Sequence, residues 1–251
     1  VLIPTPNRTT ACVSTQVGCS LDCKFCATAK LKKMRNLLPD EIYDQVKAID
    51  QESRLYHSRP LSNIVFMGMG EPLMNYNNVL KSIDKITSEE GLGMSPKRIT
   101  VSTSGIPKMI KKLADDKVKF NLAVSLHSAI QEKREQIMPF ATKFTLIDLK
   151  ESLQYWYEKT NQRITYEYVI WEGINDTRED IDALIRYCKH VPCKVNLIEY
   201  NAIDDDSFKQ ASKSVTDAYI YTLDKNRIPV TVRRSRGKDI DAACGQLANK
   251  K

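Results

Sequence analysis

The chain has 251 residues, Lys+Arg 38 against Asp+Glu 31 for a formal net charge of +7, and seven cysteines. A chain of that length buries roughly 70–75% of its unfolded surface without disulfide staples, which excludes a small secreted scaffold; the odd cysteine count, far below the ~8–10% of disulfide frameworks, points to reduced thiols with chemical duties. The mild basic balance suits a protein that meets a polyanion without identifying it, and the lack of any apolar run near ~18 residues or of a signal-peptide pattern at VLIPTPNRTT predicts a cytoplasmic protein with no membrane partner.

Along the chain, short β-rich runs alternate with longer amphipathic segments. Strands are predicted at 11–18 (ACVSTQVG), 63–69, 98–104, 120–127, 164–171, 194–201 and 229–235. Several are apolar nearly throughout, as strands covered on both faces are. Helices are predicted at 39–56, 76–89, 107–116, 145–160, 176–189 and 209–226 from apolar positions at helical spacing. The alternation implies an α/β domain with a mainly parallel sheet. Some six βα units suit a full or partial barrel, with a doubly wound sheet as the alternative; both gather ligands at the carboxyl edge of the strands. No linker or low-complexity tract divides the chain.

After the first predicted strand comes Gly18-Cys19-Ser20-Leu21-Asp22-Cys23-Lys24-Phe25-Cys26, a C-x3-C-x2-C loop. Three thiols within eight residues form a metal-ligand arrangement rather than three core cysteines sharing a polar loop. A closed zinc site needs a fourth ligand, from Cys12, Cys188, Cys193 or a histidine. Three thiolates fit a [4Fe-4S] cluster better, because they leave one iron without a protein ligand. S-adenosylmethionine (SAM) can chelate such an iron through its amino and carboxylate groups, so that an electron from the cluster breaks a C–S bond of the sulfonium and releases a 5'-deoxyadenosyl radical.

Other candidates follow the later strands. Gly68-Met69-Gly70-Glu71-Pro72 offers backbone amides and a carboxylate for an ammonium group, or an ordinary turn. Ser102-Thr103-Ser104-Gly105 and Ser125-Leu126-His127-Ser128 offer hydroxyls suited to ribose and carboxylate, with a packed core histidine as the alternative for His127. Asn201 is a nucleoside contact or a turn residue. Near the C-terminus Cys244 stands beside Gly245 in a segment also carrying Arg233, Arg234, Arg236 and Lys238; Lys30, Lys32, Lys33 and Arg35 form a second basic group able to track phosphates. Cys188 and Cys193 flank a helix-to-strand turn and read as structural.

The C-x3-C-x2-C spacing, with Phe25 before its third cysteine, is the signature of the radical SAM superfamily. Together, TACVSTQVGCSLDCKFCATA, MGMGEPLMNYNNV, TVSTSGI, AVSLHSA, VNLIEYN and RGKDIDAACGQLA resemble the RlmN-type adenosine-C2 RNA methyltransferases from Val1 to about Ala248, with every motif in order. The resemblance implies an incomplete (β/α)6-type radical SAM barrel formed by residues 1–251 as one catalytic domain. It implies a [4Fe-4S] cluster on Cys19, Cys23 and Cys26, and SAM contacts at Gly70, Glu71, Ser102, Ser125, Leu126, His127 and Asn201. The implied partners are 23S rRNA and tRNA, with an electron donor such as flavodoxin, and the implied state is a monomer.

Adenine C2 is an electron-poor amidine carbon that cannot attack a sulfonium methyl, which a radical route avoids. By resemblance, one SAM methylates Cys244, a second yields the adenosyl radical that takes hydrogen from the S-methyl group, and the methylene radical adds to C2. Cys12 matches the second working cysteine, which attacks the sulfur of Cys244 and leaves a disulfide and methylated RNA. The resemblance also implies a glutamate base just upstream of residue 1 and a preceding helical RNA-binding domain, both absent from this chain. Lys32 stands where many members have Gly, and Glu199 replaces a common Pro. The competing readings are a Cfr-like enzyme acting at adenine C8 and a non-enzymatic zinc-containing RNA-binding module.

Overall fold

The computed structural model of the chain describes residues 1–203, 207–237 and 240–247. In chain order its elements are β1 (Leu2–Thr5), β2 (Arg8–Cys12), β3 (Gln16–Val17), α1 (Ala27–Lys30), β4 (Arg35–Asn36), α2 (Pro39–His57), β5 (Asn63–Phe66), α3 (Tyr76–Thr87), β6 (Ile99–Thr103) and α4 (Pro107–Asp115). They continue with β7 (Asn121–Ser125), α5 (Gln131–Ile137), α6 (Leu146–Thr160), β8 (Ile164–Val169), α7 (Arg178–Cys188), β9 (Cys193–Ile198), α8 (Lys213–Lys225) and β10 (Val230–Arg233).

Eight strands make one sheet in the order β1-β2-β5-β6-β7-β8-β9-β10. Only the β1–β2 pair is antiparallel, with Leu2 opposite Ala11 and Thr5 opposite Arg8; every other neighbour pair is parallel. β1 and β10 are the two edges, so the sheet is an open half-barrel of the α/β class rather than a closed one. That agrees with the incomplete barrel and removes the doubly wound alternative, since the strands follow one another in sequence with no reversal of order.

The parallel strands are apolar because helices cover one face and the half-barrel interior fills the other. Ile64, Val101, Leu122, Val124, Ile164, Val195 and Leu197 are all buried, and β8 is buried at every position. Helix boundaries follow local chemistry. Thr145 and Thr177 cap α6 and α7 with Asp148 and Asp180 completing capping boxes, and Asn161 ends α6 in the left-handed region at φ 53°. α8 starts at Lys213, later than the predicted 209, because Ser212 caps it and Ala211 is still tied to the carbonyl of Ile170.

Three sequence readings are corrected. The predicted 11–18 strand is two pieces: β2 stops at Cys12, and Thr15 and Gln16 both donate to the carbonyl of Met69, so the chain crosses the sheet edge before β3 pairs with β4. β1 was not anticipated, because its four half-buried residues include Pro4 and Pro6 follows, as only an edge strand tolerates. α5 was not anticipated either: QEKREQI has no apolar face, and its buried positions are Arg134 and Ile137. Among the described residues no helix is long and apolar enough to cross a membrane.

Candidate active site

A cavity opens at the carboxyl ends of β5 to β9. Its wall includes Cys19, Cys23 and Cys26 from the cysteine loop, Gly70 and Glu71 after β5, Ser102 on β6, Ser125 and His127 at β7, Asn201 after β9, and Cys244. Every predicted metal ligand and SAM contact except Leu126 therefore faces one space. Leu126 is fully buried in the core; its amide donates to the Glu167 carbonyl and its own carbonyl accepts from Arg134, so its side chain supports the β7 end and is not part of the wall.

The cysteine loop is fixed from several sides. Gly18 enters it at φ 77°, where a Cβ would lie 2.4 Å from the Lys32 carbonyl, so only glycine permits the approach that bridges Cys19 to Lys32. Lys24 donates to the Ile137 carbonyl at 3.0 Å, Phe140 to the Asp22 carboxylate at 3.0 Å, and Ala27 to the Gly245 carbonyl at 2.7 Å. Phe25 packs between His127 and Trp171, with ring centroids 4.8 and 5.0 Å away. Leu21, Cys19, Cys23 and Phe25 thereby join an apolar cluster with Ile137, Met138, Phe140, Val169 and Trp171.

Burial pushes the Cys19 thiol up to about 11 and the Cys23 thiol well above its ordinary value, and neighbouring thiols and Glu71 add to both shifts. Thiols packed this way stay protonated unless a bound metal cation favours the thiolate. Among the described residues no three His, Cys, Asp or Glu side chains converge on one point, as a single metal ion would require. An iron–sulfur cubane sets no such requirement, because its thiolates sit on separate irons. Cys19, Cys23 and Cys26, all on the cavity wall, are a donor set that would hold such a cluster.

The rest of the wall is suited to a polar cosubstrate. Gly70, at φ 95°, lies against Gln16, where a Cβ would come within 2.5 Å of the Gln16 Cβ. Glu71 is buried; its amide donates to Gln16 Oε1, and its two carboxylate oxygens accept from Leu73 N at 3.0 Å and Ser104 N at 2.8 Å. Burial raises its pKa against the pull of those amides. His127 is buried at φ 56°, its Nδ1 accepting from Val169 N at 3.2 Å, and burial pushes its pKa down to about 3, aided by Arg134. It is a neutral imidazole whose remaining nitrogen is a donor, both packed and on the wall. Asn201 donates to the Cys244 carbonyl at 3.0 Å, while its Oδ1 is buried without a partner, an acceptor left for a ligand's N–H or O–H.

The two proposed working cysteines share one charged neighbour. Cys12 ends β2, and Cys244 is solvent-exposed and lines the cavity. Desolvation by the surrounding protein raises the Cys244 pKa, burial raises that of Cys12, and Arg233 opposes both shifts. Arg233 Nη1 is 3.2 Å from Glu167 Oε2, and Glu167 Oε1 accepts from Asn196 at 2.9 Å. The basic group of the sequence thus divides. Arg233 turns inward, Arg234 and Arg236 are exposed, and Lys238 lies outside the described residues. Lys30, Lys32, Lys33 and Arg35 are exposed, Arg35 pairing with Glu41 at 2.7 Å. Cys188 and Cys193 are buried together away from the cavity, as predicted.

The radical SAM superfamily pattern matches residues 13–188. The probable dual-specificity RNA methyltransferase RlmN of Christiangramia forsetii is 75% identical over 250 residues, covering 100% of this chain and 71% of that protein. The chain belongs to the RlmN family of radical SAM methyltransferases. The RlmN-named protein of Flavobacterium psychrophilum is 74% identical over 100% of this chain and 72% of its own length. The crystal structure of a radical SAM methyltransferase from Sphaerobacter thermophilus superposes with a TM-score of 0.96 at 39% identity, covering 99% of this chain and 73% of that one.

Within this RlmN-family site, Glu167 was missed by sequence reading although a signal was present: a carboxylate in the middle of ITYEYVIW, a strand buried at every position, must have a partner. Glu167→Ala is expected to lower stability by about 2 kcal/mol, below the 3–5 kcal/mol of a fully buried pair because Arg233 is partly exposed. Urea denaturation checks this, and an unchanged midpoint would show the pair to be without consequence.

Proposed function

We propose that this chain methylates C2 of adenine in 23S rRNA and tRNA, with Cys244 as methyl carrier and Cys12 as the thiol that releases the product. The observation that carries the reading is the meeting of Cys244, from the far end of the sequence, with Cys19, Cys23 and Cys26 on one cavity wall. A carrier sulfur must stand beside the source of the radical, because the adenosyl radical has to abstract hydrogen by contact.

A [4Fe-4S] cluster bearing SAM supplies one-electron cleavage of the sulfonium and a carbon radical. The residues around that chemistry do ordinary work. Cys19, Cys23 and Cys26 would hold the cluster, while Gly70, Glu71, Ser102, Ser125, His127 and Asn201 would orient the nucleoside and amino-acid ends of SAM. Asn201 also fixes the Cys244 backbone, so cosubstrate and carrier share one support. Arg233, held by Glu167, gives the two thiols a common cation that favours the thiolate Cys12 needs for attack. An electron donor such as flavodoxin would serve the cluster.

The deciding experiment is nucleoside mass spectrometry of 23S rRNA and tRNA treated with anaerobically reconstituted protein, SAM and a reductant. The expected product is 2-methyladenosine. An 8-methyladenosine product would transfer the reading to the Cfr-like chemistry, and an iron-free, zinc-loaded protein that only binds RNA would defeat both.

A further inference from the structure

Arg134 is fully buried, an environment that a cation enters only at cost. Its Nη1 donates to the carbonyls of Ser125 at 3.1 Å and Leu126 at 2.7 Å and touches Met138 Sδ at 3.0 Å; its Nη2 donates to the Ser104 carbonyl at 2.7 Å. Its Nε is buried with no partner. Each of these acceptors is neutral, and among the described residues no carboxylate is in ion-pair contact with it. The helix bearing it is also the floor of the cysteine loop: Ile137, three residues on, accepts the Lys24 amide, and Met138 packs in the same cluster as Cys23.

Holding two strand ends together does not require a charge, since a neutral donor could serve carbonyls as well. A permanently charged, planar guanidinium kept dry on the helix that carries the cysteine loop has a different consequence. Three thiolates on a cubane leave it net negative, and reduction adds one more negative charge. A fixed cation in a low-dielectric setting favours the more negative state. Resting on the reading of Cys19, Cys23 and Cys26 as cluster ligands, we propose that Arg134 is a built-in counter-charge that raises the reduction potential of the cluster and so eases electron entry.

The test is an EPR-monitored potentiometric titration of anaerobically reconstituted protein without SAM, with iron and sulfide assayed in parallel. Arg134→Gln removes the charge. Met138→Glu leaves Arg134 in place and sets an ionised carboxylate against it, cancelling the charge, and Met138→Gln controls for the change of shape. Arg134→Gln and Met138→Glu are expected to shift the midpoint negative by at least about 59 mV, a tenfold loss of reduced cluster at fixed potential for a one-electron couple. Met138→Gln is expected to match the parent. An unchanged midpoint in cluster-loaded Arg134→Gln, or in Met138→Glu should the former not fold, overturns the proposal. A parent protein that binds no iron and sulfide overturns the cluster reading itself, a separate and recognisable result.

Discussion

Cys26→Ala is expected to yield a folded, nearly colourless protein that has lost more than ~1000-fold of its SAM cleavage, a small part of the acceleration enzymes commonly supply. Cys26 is half-buried, and its backbone, which donates to the Cys23 carbonyl, survives the substitution. The fold therefore has little to lose, since the substitution leaves the apolar packing of Leu21, Cys23 and Phe25 in place. What disappears is the third thiolate, without which two remaining ligands and an open cavity side cannot retain a cubane. Iron and sulfide analysis, visible absorption and quantified 5'-deoxyadenosine report the loss. Cys188→Ala, a change at a buried cysteine remote from the cavity, is the matched control and should keep all three. Equal loss in both variants would mean that the fold, not the ligand set, had failed.

Cys244→Ala is expected to abolish RNA methylation while the cluster, its spectrum and some abortive SAM cleavage remain. Cys244 contributes its carbonyl to Asn201 and its neighbour Gly245 accepts the Ala27 amide, both backbone contacts that alanine preserves. The side chain itself faces the cavity, so removing its sulfur leaves no polar group unsatisfied. RNA affinity should then stay within about twofold of the parent, because affinity for a polyanion comes largely from basic groups contacting phosphates rather than from a thiol. In the parent, mass spectrometry should find a methyl increment on the peptide containing Cys244, absent from the variant. Methylated RNA from Cys244→Ala would remove Cys244 from the chemistry.

Much of this site was legible in the sequence for a physical reason: in a parallel α/β sheet the strand ends face one edge, so motifs that directly follow strands must gather there. Gly70, Glu71, Ser102, Ser125, His127 and Asn201, at or just beyond the ends of β5, β6, β7 and β9, obey that rule, whereas the cysteine loop is brought to the same edge by its contacts with Ile137, Phe140 and Gly245. What stayed hidden depends on partners far away in the chain. Arg134 sits in QEKREQI, a run of charged and polar residues with no apolar face to announce a buried helix, and it is buried where its guanidinium meets the carbonyls of Ser104, Ser125 and Leu126. Arg233 looks like a member of a surface basic group until Glu167, on another strand, draws it inward. The break in the first predicted strand after Cys12 was equally invisible, because the Met69 carbonyl that captures Thr15 and Gln16 arrives from the loop after β5. The Leu126 side chain, between the wall residues Ser125 and His127, is buried in the core, as alternation along a strand end dictates.

In the proposed function Cys19, Cys23 and Cys26 would anchor a cluster whose remaining iron is reserved for SAM. Pulsed electron–nuclear double resonance on the reduced, reconstituted protein, with SAM isotopically labelled in its amino and carboxylate groups, tests it directly. Hyperfine coupling between the label and the cluster is the expected result. A well-formed cluster with no coupling to the label, its last iron held by a fourth protein side chain, would contradict it.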